Sequence, residues 1–75
     1  MSDAVLDARG LTCPLPILRA KKTLKAIPEG GSLTVLATDP SSVRDFQSFC
    51  KMTGNILVES AEDGEGVFRF LIRRG

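Results

Sequence analysis

At 75 residues the chain has room for one domain, 1–75, and with 43% apolar and 25% charged residues it reads as globular rather than disordered. Ten basic against nine acidic residues leave a formal charge of +1, which removes any general electrostatic reason to bind nucleic acid or an anionic membrane. No apolar run nears the roughly 20 residues of a membrane span. The first ten residues lack the basic start and apolar stretch of a secretion signal, so the expected setting is the cytoplasm with reduced thiols.

In chain order, Ala4–Asp7 is a short strand candidate, and Arg9 to Thr12 reads as the loop leaving it. Cys13-Pro14-Leu15-Pro16 opens a helical pattern in which Ile17, Ala20, Leu24 and Ile27 form one apolar stripe, widened by Leu18. Pro28-Glu29-Gly30-Gly31 stops that helix. Leu33–Ala37 is a second strand, dense enough in apolar residues to suggest burial on more than one side. Asp39 and Pro40 look like an N-cap and a first helical position. Val43, Phe46 and Cys50 share one face of this second helix, which Gly54-Asn55 ends. Ile56–Glu59 and Val67–Ile72 are strands joined by the turn signal Asp63-Gly64-Glu65-Gly66. The order β-α-β-α-β-β, with one apolar stripe per helix, predicts an α/β two-layer sandwich in which both helices cover one face of a four-stranded sheet.

The chemistry concentrates at Cys13, where a strand-exit loop meets a helix start. Unpaired amides and a partial positive charge favour an anion there, so the thiol is expected to have a lowered pKa and to act as a nucleophile. Pro14 at the first helical position and Pro16 at the third break no helical bond and stiffen the presentation of Cys13. They also leave Leu15 and Ile17 as the nearest amides for the sulfur. Gly10 allows a tight bend before the cysteine. Five basic residues, Arg9, Arg19, Lys21, Lys22 and Lys25, fall early and could make one local basic face.

Several chemistries are absent from the residue list. Without histidine there is no Cys-His catalysis, and two distant cysteines do not build a zinc site, so no metal and no cofactor is expected. There is no C-x-x-C pair, no G-x-G-x-x-G and no phosphate-binding loop. A single reactive thiol that depends on partner enzymes is what remains. Cys50, on the Val43–Phe46 stripe, reads as a packed core thiol.

The run Leu6-Asp7-Ala8-Arg9-Gly10-Leu11-Thr12-Cys13-Pro14-Leu15-Pro16 closely resembles the signature of the TusA/SirA-type sulfur-carrier family. The resemblance continues through Asp39-Pro40, Arg44-Asp45 and Phe49-Cys50 to Phe70-Leu71-Ile72-Arg73, and so covers essentially the whole chain. It implies a mixed sheet in strand order 1-2-4-3. It also implies a carrier rather than an enzyme in its own right, taking part in sulfurtransferase (transpersulfidation) steps. Cys13 would accept persulfide sulfur from a cysteine desulfurase or rhodanese-like donor and pass it to an acceptor protein. Family routes include tRNA thiolation, molybdenum cofactor maturation and sulfur-compound oxidation, and a selenium carrier would use the same residue. Partner-docking positions fall on Lys21, Lys25 and Asp39, the two lysines sharing a helix face that could meet an acidic partner. No direct nucleic-acid or membrane contact and a monomeric state are expected. Two readings compete: a regulatory or RNA-binding module, whose fold type is shared with a translation initiation factor domain, and a thiol redox protein using Cys13 and Cys50. The first lacks an aromatic stacking platform, and the second lacks a resolving cysteine close in sequence.

Overall fold

The structure, a computed structural model, describes residues 3–75. Its elements are β1 (Asp3–Ala8), α1 (Leu15–Lys25), β2 (Ser32–Ala37), α2 (Ser42–Thr53), β3 (Ile56–Glu62) and β4 (Phe68–Arg73). The four strands form one mixed sheet in the order β1-β2-β4-β3, with β1 and β2 parallel and the other neighbours antiparallel. Both helices lie on the same face, α1 over β1 and β2, and α2 over β3 and β4. The expected sandwich, element order and strand order are all present.

Alternation decides which face is covered. Along β2, Leu33, Val35 and Ala37 are fully buried, while Ser32, Thr34 and Leu36 between them are only half-buried. The apolar density of β2 therefore reflects one strongly buried face, not two. β4 follows the same period with Phe70 and Ile72. Phe46 of α2 stacks on Phe70, ring centroids 4.7 Å apart, which ties the second helix to the centre of the sheet. Ala20 and Leu24 of α1 and Cys50 of α2 complete this core. Leu18 does not widen the α1 stripe as expected; it is 53% exposed beside α2.

Both helices begin later than the sequence suggests. Thr12 O accepts the Leu15 N–H at 2.8 Å, closing a turn around Cys13 and Pro14, whose shared peptide bond is cis. Pro14 is thus the N-cap rather than the first helical residue, and Pro16 is the second helical residue rather than the third. At α2 the N-cap is Ser41, not Asp39, and Pro40 lies outside the helix. Asp39 instead accepts from the Ser41 N–H through Oδ1 at 3.0 Å, an Asx-type turn that postpones the helix. β3 runs three residues past Glu59, with a bulge between Leu57 and Glu59. Its added Ser60, Ala61 and Glu62 are exposed and carry no apolar signal.

One consequence of the parallel β1–β2 pair positions the site. The register sets Ala8 beside Ala37, so the two strands end together and their exit loops emerge side by side.

Candidate functional site

Those loops are Arg9–Pro14 and Thr38–Ser41, and two side chains of the second stitch it to the first. The Gly10 amide donates to Thr38 Oγ1 at 2.9 Å, and the Cys13 amide donates to Asp39 Oδ2 at 2.7 Å. Gly10 adopts φ +81°, a left-handed conformation that costs glycine nothing, and the chain turns there toward Cys13. Cys13 is consequently exposed at the rim where strand ends meet helix starts. Open α/β sheets characteristically place their chemistry outside the carboxyl ends of strands. Cys50 is the other free thiol, and it is buried in the core, with burial pushing its pKa up.

Exposure of Cys13 agrees with expectation; its ionisation does not. The thiol is pushed up from the ordinary range rather than down. The Asp45 carboxylate, favouring a hydrogen bond from the protonated thiol, is the largest cause, followed by partial desolvation and by the negative charges of Asp45 and Asp39. A hydrogen bond from Ser41 opposes them. The helix-terminus argument fails for two local reasons. The Leu15 amide, one of the two nearest donors, is already given to Thr12 O. Two carboxylates from the α2 side, Asp45 and Asp39, also disfavour the thiolate.

Asp39 is held firmly in its ionised form. Its pKa is lowered by the Ser41 amide first, then by the Cys13 amide and the Ser41 hydroxyl. The hydroxyl lies 3.0 Å from Asp39 Oδ1 and 3.3 Å from Asp45 Oδ2, so its single proton is within reach of either carboxylate. Among the described residues the ion pairs are Asp7–Arg9 and Glu59–Arg69, and neither involves Asp39 or Asp45.

Cys13 and Pro14 sit at one end of a groove of about 440 Å³ between α1 and α2. Leu18, Lys21, Phe49 and Met52 line its length, with Asp45 near Cys13. Leu18 and Met52 are 53% and 86% exposed, large apolar side chains left in water along the same groove as Cys13. Lys21 belongs to this groove, and Lys25 lies one turn further along the exposed side of α1. Arg9 does not join them: Asp7 takes its guanidinium at 2.8 and 2.9 Å, and that pairing lowers the Asp7 pKa to about 2. The basic face is therefore confined to α1. Pro16 is buried beneath the first turn, whereas Pro14 is exposed at the rim. The sequence alone gives Thr38, Ser41 and Asp45 no role, because nothing local marks a residue that meets the Cys13 loop only through strand pairing.

A family model described as "Sulfurtransferase TusA" matches residues 4–74. The chain is 62% identical over 72 residues to the sulfur carrier protein TusA of Allochromatium vinosum, covering 96% of this chain and 93% of the relative. It is 44% identical to the sulfur carrier protein TusA of Pseudomonas putida strain GB-1, with 96% and 89% covered. Among solved structures, a SirA-like protein from Desulfitobacterium hafniense superposes with a TM-score of 0.85 at 34% identity, covering 96% of this chain and 97% of that one.

Proposed function

The chain belongs to the TusA family, and from that premise we propose that it is a sulfur carrier that holds one transferable sulfur atom as a persulfide on Cys13. The observation that carries this reading is the placement of the two thiols. Cys13 is exposed on a rim fixed by two inter-loop hydrogen bonds, while Cys50 is shut in the core.

The Cys13 thiolate attacks the terminal sulfur of a donor's cysteine persulfide. A bond forms between Cys13 Sγ and that sulfur as the donor's S–S bond breaks, and the donor leaves as a thiolate that takes up the proton lost by Cys13. The transferred sulfur keeps its oxidation level. In delivery the roles reverse: an acceptor thiolate attacks the terminal sulfur of Cys13–S–SH, and Cys13 leaves.

A cysteine desulfurase or rhodanese-like donor fits the first step, and a thiol-bearing acceptor protein fits the second. Lys21 and Lys25 present cations to an acidic partner surface, while Leu18, Phe49 and Met52 offer an apolar seat beside the thiol. A rigid exposed cysteine next to a mixed apolar and basic groove supports reading the chain as a docking carrier more than as a redox couple or an RNA binder.

The test is a labelling experiment. With ³⁵S-cysteine and a purified cysteine desulfurase, wild type and Cys50→Ser should take up reductant-sensitive label and Cys13→Ser should not. Label that persists on Cys13→Ser, or none on wild type, contradicts the assignment.

A further inference from the structure

We propose that Asp39 is a positioning residue for Cys13: its carboxylate, anchored by Ser41, clamps the Cys13 amide and fixes the direction in which the carrier sulfur meets a docked donor. This rests on Cys13 being the carrier. It assigns Asp39 an internal role in place of direct contact with a partner.

The argument is one of occupancy. An ionised carboxylate offers about four lone-pair sites. Both oxygens already accept from backbone amides of this chain, Oδ2 from Cys13 and Oδ1 from Ser41, and the Ser41 hydroxyl lies 3.0 Å from Oδ1 as well. Neither oxygen is left without an internal donor, so the group is poorly placed to be the main anchor for a partner's cation. Its effect on Cys13 is direct. Cys13 lies in the turn between Thr12 and Leu15, and its N–H is not used by that turn's hydrogen bond. Asp39 takes it with a charge-assisted bond, the stronger kind. With Thr38 holding Gly10, the loop is fastened at two points three residues apart to the loop that leaves β2, and the β1–β2 register sets the two loops side by side.

Position matters because sulfur exchange is directional: the attacking sulfur must approach along the S–S bond that breaks. A loop free to swing would still expose the thiol and would still react with a small persulfide. It would fail to align with one held in a protein site.

That contrast gives the experiment. Wild type, Asp39→Ala and Asp39→Glu are loaded by purified cysteine desulfurase charged with cysteine, and separately by glutathione persulfide across a range of pH. Binding to the desulfurase is titrated alongside. Both variants should bind the desulfurase as tightly as wild type, while the loading rate at saturation falls by roughly 10- to 100-fold, the scale of a displaced reactive group. With glutathione persulfide the rate of the fully ionised thiol should be unchanged. Asp39→Ala should reach it at lower pH, because a nearby negative charge has gone. Asp39→Glu keeps the charge and moves the oxygens by one methylene, so a charge contact with the partner would survive in it and a clamp would not. Weaker binding at an unchanged saturated rate, full function in Asp39→Glu, or wild-type behaviour of both variants overturns the proposal. Protection of Cys50 from alkylation reports that each variant is folded; where Asp39→Ala is not, Ser41→Ala replaces it and should show the same loss in saturated rate, smaller in size. Failure of the carrier reading looks different, since wild type would then not load or Cys13→Ser would load equally.

Discussion

The amide of Cys13 and the carboxylate of Asp39 meet at 2.7 Å although 26 positions separate them in sequence. Parallel pairing of β1 and β2 brings them together, because two strands that run the same way and end in register release their loops at the same edge. The thiol therefore answers to groups from α2 and its leading loop as much as to the helix it precedes.

Asp45 is the clearest case. Its carboxylate is the main cause of the raised Cys13 pKa. Asp45→Asn should lower the midpoint of the pH–rate curve for iodoacetamide labelling of Cys13 and speed labelling at pH 7. An unchanged midpoint would mean that Asp45 does not govern the thiol.

Asp39 makes a prediction at acid pH. Its folded pKa lies below the ordinary carboxylate value, so its contribution to stability is complete above the unfolded pKa and is lost as pH falls through the folded one. The amide proton of Cys13, followed by NMR, should keep its carboxylate-bonded shift below the pH at which a free aspartate titrates, then lose it. Titration at the ordinary aspartate value would show that the clamp is not closed in solution.

Gly10 at φ +81° has nothing within 4 Å of where a Cβ would stand. A Gly10→Ala change should therefore act through backbone conformation alone, costing about 1–2 kcal/mol by chemical denaturation. It should also shift the Cys13 amide resonance. Loss of stability without that shift would separate the bend from the carrier loop.

Core and groove should respond differently to truncation. Phe46 is fully buried and stacked on Phe70, so Phe46→Ala should cost about 3–5 kcal/mol, a large share of the total for so small a domain. Met52 is 86% exposed, so Met52→Ala should leave the denaturation midpoint within about 0.5 kcal/mol of wild type and weaken docking to a sulfur donor. Destabilisation by Met52→Ala would place it in the core instead.

Much of this molecule was legible from local pattern. The apolar run Leu33–Ala37, the stripe through Ala20 and Leu24, and the glycine-rich turn before Val67 are enough for the element order, and the family signature adds the strand order. Cys13 stood out because a cysteine before two prolines at a helix start is a local arrangement. Its ionisation is not legible there, because the opposing charges, Asp39 and Asp45, arrive through a parallel strand pair that no local window contains. The helix starts slipped for a related reason: Thr12 and Asp39 hold amides that helical propensity alone would leave unassigned.

Whether sulfur resides on Cys13 is read from the intact mass of the protein after incubation with a cysteine desulfurase and cysteine. The native protein and Cys50→Ser should each gain one sulfur atom, removed by reductant, and Cys13→Ser should gain none. An equal gain on Cys13→Ser, or an internal disulfide in place of added sulfur, would contradict Cys13 as the carrier.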